Sequence, residues 1–438
     1  TGVGIDRGGV VWFGEKVPVA AGVARTGHTT VVKVEAREMR FNPSAIEVPA
    51  GDRLVIELTN TDTADVHDLV LDDGSDTGRL SPGDSTRLDV GVVGRDIAAW
   101  CSVIGHRQMG MVLTVTATGA PASSGPSTTP STMPSTTPST TPSGHDPIAD
   151  LMTAPGADFV AHDPRLPPLE PGRVHRRTIH VREIEREVAP DVIQKLWTFD
   201  GSTPGPTLHG RVGDRFVITL VNDASMGHSI DFHAGSRAPD RVMRTIPPGA
   251  RLVYRFTATR SGIWMYHCST MPMSAHIANG LFGAVVIEPR GLPPVDQSFV
   301  LLQSELYLGA DGGAVDVDKV AAEDPDLVVF NGYANQYDHR PLPARVGQRT
   351  RIWVLDAGPN RTTSFHVVGA QFDTVWAEGA YLLDPRSGGD GGSQTLALGV
   401  AQGGFVEIAF PEPGRYPFVS HVMVDAERGA HGTFQVTR

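Results

Sequence analysis

A threefold internal repeat constrains this chain more than any other feature. IEVPAGDRLVIELTN (46–60), LHGRVGDRFVITLVN (208–222) and LPARVGQRTRIWVLD (342–356) share a Gly-Asp/Gln-Arg turn that leads into an alternating strand. A histidine follows each copy: His67, His228 and His366. A turn and strand come next: LSPGDSTRLDV, IPPGARLVYRFTA and AQGGFVEIAF. Each copy closes on an aromatic strand: AAWCSVIGH, GIWMYHCST and GRYPFVSH. Period-two alternation in RFVITLV and RLVYRFT predicts half-buried strands. A repeated strand unit of roughly 110–140 residues predicts an all-β protein of three Greek-key β-sandwiches.

The length of 438 residues exceeds one ordinary core. Abundant glycine (49) and proline (34) suit turn-rich β structure. Residues 119–148 are dominated at their start by GAPASSGPSTTPSTMPSTTPSTTPSG. Such a segment cannot bury a core, so an extended linker is expected. The boundaries that follow are a first domain at 1–118, a linker at 119–148, a second domain at 149–290 and a third at 291–438. Only GLPPVDQ (291–297) joins the last two, which should pack as one body.

A formal charge of −12 argues against a nucleic-acid partner. No apolar run reaches the roughly 18–20 residues that span a bilayer. The chain starts at Thr1, which suggests a removed signal or anchor and an extracytoplasmic location.

The two cysteines, Cys101 and Cys268, sit in similar phrases, WCSVIGHRQMGM and YHCSTMPMSAHIANGL. Two Cys-then-His phrases argue for two metal sites over one disulfide. The first copy offers His67, Cys101, His106 and Met111, with Met109 as a rival to Met111. One thiolate, two imidazoles and a weak thioether are the ligands of a blue, type 1 copper, suited to one-electron transfer. The second copy offers His228, Cys268 and His276. Leu281 lies five residues past His276, as Met111 lies five past His106, and cannot coordinate.

Adjacent strand residues face opposite ways. His267 therefore points away from Cys268, and His233, five past His228, points away from His228. His233 and His267 can bind a second metal at the outer surface, but two histidines are too few for a closed site, so a third ligand must come from elsewhere. The third copy has no cysteine but supplies His421, read as equivalent to the His-Cys pair, and His366, read as equivalent to the first ligand.

These phrases (HSIDFHA, YHCSTMPMSAHIANG, SFHVVG and the terminal VSH) resemble the copper-containing nitrite reductases over about residues 175–438. Residues 1–118 resemble a tethered cupredoxin. The resemblance implies three cupredoxin-like domains, the last two forming the reductase core. It implies type 1 copper at His67/Cys101/His106/Met111 and at His228/Cys268/His276, with Leu281 where the family has methionine. It implies type 2 copper at His233, His267 and His421, the last from a neighbouring subunit of a homotrimer. Asp231 and His366 match the family's active-site acid and histidine, and Val368 matches the aliphatic residue that shapes the nitrite pocket. The implied activity is reduction of nitrite to nitric oxide, with electrons from a small redox protein or other donor. A laccase-like oxidase and a non-catalytic copper carrier are the alternatives. The absence of any His-x-His among 16 histidines weighs against the former.

Overall fold

The computed structural model describes residues 25–119 and 154–438, apart from 64, 73–74, 104–105, 108–109, 157–158 and 311. Met109 and the linker beyond residue 119 lie outside the described residues. The chain divides into two compact units, 1–134 and 135–438.

Strands dominate, and they build three successive pairs of sheets. The same pairing recurs in each repeat. The strand that opens a repeat runs parallel to the Gly-Asp/Gln-Arg strand, with Thr29 opposite Arg53, Val174 opposite Arg215 and Gln297 opposite Thr350. A short early strand runs parallel to the last one, with Ala45 opposite Thr114, Leu208 opposite Val285 and Leu342 opposite Phe434. These non-adjacent pairings give each repeat its two-sheet, cupredoxin-like topology. The shared turn needs its glycine, because Gly51, Gly213 and Gly347 all have positive φ (96°, 94° and 73°).

Alternation places side chains as the sequence predicts. In Arg251–Thr257, Leu252, Tyr254 and Phe256 are buried while Arg251, Val253 and Arg255 are exposed. Phe282–Glu288 (FGAVVIE) is instead buried along nearly its whole length. The reason is a shared core. Ile263, Met265, Phe282, Ala284 and Val286 pack with Val300, Leu302, Trp353, Leu355 and Phe405 of the third repeat. The second and third repeats therefore form one body, as expected from their short join.

The stretch near residue 164, grouped with the second repeat by sequence, lies along the third. Leu166 N–H donates to Ser298 and Val300 N–H to Pro164, and Phe159 packs on Tyr333 at 4.6 Å. Its prolines and alternating charges carry no strand signal that would assign it to either side. No helix among the described residues is long and apolar enough to cross a membrane.

Candidate metal centres

Cys101 and Cys268 are both buried and unpaired by any disulfide. Each joins two histidines. The ligand atoms of His67, Cys101 and His106 lie within 4.8 Å of one another, as do those of His228, Cys268 and His276. The Nδ1 atoms of the two histidines are 3.2 Å apart in both sets. The thiol sulfur is 3.4 Å from His106 Nδ1 in the first and 3.3 Å from His276 Nδ1 in the second. Two donors about 2 Å from one ion are separated by about 3.3 Å at tetrahedral and about 3.5 Å at trigonal angles. The sets fit a three-coordinate metal, and a thiolate with two imidazoles suits copper.

The backbone frames of the two sets coincide. Cys101 N–H donates to Met111 C=O at 3.1 Å and Cys268 N–H to Leu281 C=O at 3.0 Å. Met111 N–H donates to His106 C=O at 3.0 Å and Leu281 N–H to His276 C=O at 3.2 Å. Leu281 thus stands at the backbone position of Met111, and both are fully buried. Gly110 and Gly280, at φ 93° and 110°, make the turn before each.

Two residues that the sequence reading did not single out hold the first histidine. Asn60 donates its side-chain amide to Asp65 and Leu80 carbonyls, and Asn222 to Met226 and Ile246 carbonyls. His67 and His228 bridge to those same residues, Leu80 and Ile246. The available signal was the shared terminal Asn of VIELTN and VITLVN.

Around the thiols the two repeats differ. Burial pushes the Cys101 thiol up to about 12, and the Asp68 carboxylate adds to this. Burial also raises Cys268, but His228 and donors at Ser229 and Thr270 outweigh it, and its value falls below that of an ordinary thiol. Ser229 N–H donates to Cys268 sulfur at 3.4 Å. Burial lowers His228 and, together with His267, lowers His233. Neutral imidazoles are the form that binds metals.

The second centre begins one peptide unit away. His267 Nδ1 lies 2.9 Å from Cys268 C=O. A carbonyl only accepts, so Nδ1 carries the proton and Nε2 presents its lone pair. That Nε2 is 3.0 Å from His233 Nε2, with the rings at 87°. Asp231 Oδ2 lies 3.9 Å from His233 Nε2 and completes a third group of ligand atoms. Tyr254, buried by strand alternation, donates its hydroxyl to Asp231 Oδ1 at 3.5 Å.

Among the described residues of one chain, His421 does not join that group. It pairs with His366, ring centroids 5.4 Å apart. His366 Nδ1 donates to Gln394 C=O at 2.6 Å, which leaves Nε2 available. His421 is exposed, and Val368 (44 %), Met423 (49 %) and Val424 (53 %) are also exposed.

Register corrects two equivalences read from the sequence. His366 lies opposite Val419 as Asp231 lies opposite His267 and Val70 opposite Trp100. His366 is therefore the counterpart of Asp231, not of His67 and His228. Ser420 N–H donates to Ala430 C=O at 2.9 Å and Ala430 N–H to Asp425 C=O at 3.0 Å, with Gly429 at φ 113°. Ser420, Asp425 and Ala430 thus occupy the cysteine, second-histidine and axial positions. His421 sits one residue beyond. Thr363, paired with Leu398 and 3.4 Å from Ser420 Oγ, occupies the first-histidine position. Matching histidines by their order missed this, because a one-residue slip reverses the face of a strand. In the first repeat, Trp100 and Val70 stand where the second has His267 and Asp231, and neither can bind a metal.

Comparison with known proteins gives consistent results. A multicopper oxidase family model matches residues 180–291 and a cupredoxin-like domain model matches residues 11–93. The copper-containing nitrite reductase of Neisseria meningitidis serogroup B is 32% identical over 311 residues, covering 67% of this chain and 76% of that protein. That of Alcaligenes xylosoxydans xylosoxydans is 34% identical, covering 57% and 82%. Among solved structures, a copper nitrite reductase from Nitrosomonas europaea aligns at TM-score 0.55 and 31% identity, covering 60% of this chain and 94% of that one. A multicopper oxidase aligns at TM-score 0.54 and 30% identity, covering 67% and 97%.

Proposed function

The chain belongs to the copper-containing nitrite reductases, and from that premise we propose that it takes nitrite, one electron and two protons to nitric oxide and water. Copper at these ligand sets supplies one-electron redox change and, at the second centre, a Lewis acid that binds the anion.

Two type 1 coppers would be held by His67/Cys101/His106/Met111 and by His228/Cys268/His276, with Leu281 in the axial place. One type 2 copper would be held by His233, His267 and His421 of a neighbouring subunit in a homotrimer. The carrying observation is the adjacency of Cys268 and His267. Cys268 sulfur lies with one ligand set while His267 Nε2 faces His233, so one peptide unit links the two centres covalently. The trimer reading is supported by the separation of His421 from His233 and His267 in one chain. It is also supported by exposed Val368, Met423 and Val424, an apolar rim suited to burial against another copy.

Asp231 and His366 would deliver the protons, and Val368 would shape the anion pocket. Residues 1–118 would act as a tethered donor, loaded by a small redox protein outside the cytoplasm. Trp100 and Val70 support this assignment, because among the described residues the first repeat then has one group of ligand atoms where the second has two.

The test is copper counting by type together with a nitrite-to-nitric-oxide assay and an oxygen-consumption control. The expected result is three coppers per chain, two of them blue, and nitric oxide production. Similarity to a multicopper oxidase makes the oxygen control informative. Oxygen reduction without nitric oxide, or a trinuclear signature, would overturn the reading.

A further inference from the structure

The third repeat keeps the frame of a type 1 site without its ligands. Thr363, Ser420, Asp425 and Ala430 are all buried there. In the first two repeats the loop after the cysteine position meets the segment bearing the first histidine through ligand atoms within 4.8 Å of one another. In the third, that join is an ion pair. Asp425, fully buried, stands at the place of His106 and His276. Arg361 Nη2 donates to its Oδ1 at 2.8 Å and Nε to its Oδ2 at 3.4 Å.

The pair crosses between the two segments that carry the third repeat's functional histidines. Asp425 lies in the short helix Met423–Glu427, which begins two residues after His421. Arg361 lies two residues before the strand Thr363–Val367, which carries His366. Arg361 is itself anchored. Buried Glu305 accepts the backbone N–H of Asn360 at 2.8 Å and that of Arg361, and it takes the hydroxyl of Tyr307. His421 N–H donates to Ser364 C=O at 2.7 Å, so its backbone is fixed to the strand that Arg361 leads into.

We propose that Arg361 and Asp425 are a positioning pair that takes the place of a metal in the third repeat and holds His421 in the pose that completes a neighbouring subunit's copper site. This rests on the reading of His421 as the type 2 ligand. A bidentate guanidinium–carboxylate pair restricts orientation as well as distance. The helix end beside His421 is thereby aimed, while the imidazole stays exposed for its partner.

The test uses the full-length, copper-loaded protein. Arg361→Gln and Asp425→Asn are each compared with wild type, with Arg361→Lys as the conservative variant and His421→Ala as a control. Type 2 copper affinity is read by chelator competition, and its geometry by electron paramagnetic resonance. The expected outcome is an affinity loss of about 10–100-fold, the usual effect of a partner that orients a ligand. Altered type 2 hyperfine splitting, unchanged blue absorbance and partial rescue in Arg361→Lys should accompany it. If His421→Ala retains type 2 copper, the ligand reading fails and this proposal with it. If His421→Ala loses that copper while Arg361→Gln and Asp425→Asn bind it as wild type does, only the positioning role is rejected. Should Asp425→Asn fail to fold, Arg361→Gln decides, since that side chain is 32% exposed. Failure of both to fold would also overturn the proposal, because the pair would then serve the fold as a whole.

Discussion

At the scale of single residues, two buried positions invite substitution by what the other repeats carry at the same place. Leu281 shares the backbone frame of Met111 and is fully buried. Leu281→Met conserves volume, so the core should tolerate it. The thioether restores a weak axial donor to the Cys268 set, which favours the oxidised metal. The expected outcome is a lower reduction potential and a shifted visible spectrum, with copper content unchanged. An unaltered spectrum and potential would mean that residue 281 does not face the metal. Asp356 stands where the other repeats have Asn60 and Asn222. Burial pushes its carboxyl up to about 8, with Glu305 and Asp425 adding to the rise and the Gly358 and Thr363 N–H groups opposing it. Between pH 4 and 8 the folded protein thus holds a proton that the unfolded chain has lost. Stability should fall as pH rises through that window. Asp356→Asn removes the cost. The variant should match wild type near pH 4 and gain about 1–4 kcal/mol by pH 8, measured as denaturant midpoints across pH. A gain independent of pH would show that the carboxyl does not titrate there.

At the scale of elements, strand alternation made most of the site legible. The Gly-Asp/Gln-Arg repeat located the strands, and opposite-facing neighbours separated Cys268 from His267. The distances now seen, 3.3 Å from Cys268 sulfur to His276 Nδ1 and 3.0 Å from His267 Nε2 to His233 Nε2, belong to different groups. What the sequence hid was register between non-adjacent strands. Thr363 and Asp425 do not repeat the histidines of the first two copies, so only their hydrogen-bond frame identifies them as the equivalent positions. Tyr254 was hidden for a different reason: its hydroxyl reaches Asp231 from the other sheet of the repeat, a contact that the linear pattern does not give. Register also gives Asp231 and His366 a common meaning. They occupy the same place in successive repeats, each opposite the residue that precedes the cysteine position. A carboxyl beside His233 and an imidazole beside His421 suit the proposed proton delivery. Asp231→Asn keeps the shape and removes the basicity. Nitrite turnover should fall by about 10²-fold or more with copper content unchanged. Turnover like that of wild type across pH would reject the role.

At the scale of the whole molecule, the proposed division of labour rests on which repeats carry which candidate ligands. The unit at 1–134 contains His67, Cys101, His106 and Met111, and has Trp100 and Val70 where the second repeat has His267 and Asp231. The unit at 135–438 contains the other candidate ligands, Asp231, His366 and the apolar core shared by two repeats. A chain beginning near residue 149 keeps that shared core intact, so it should fold and assemble. It should retain the Cys268 blue band and reduce nitrite with a small artificial reductant at a rate like that of the full chain. Tethering holds a donor at an effective concentration of order millimolar without a tight interface. Removing the first unit should therefore slow reduction by the protein donor by about tenfold or more, while leaving reduction by the small molecule unchanged. Stopped-flow absorbance separates the two cases. In the full chain the Cys101 band should bleach first and recover as its electron moves on. If the shortened chain accepts electrons from the protein donor as fast as the full chain, the first unit is not the entry point. Its buried thiol and two histidines would then serve a different electron partner.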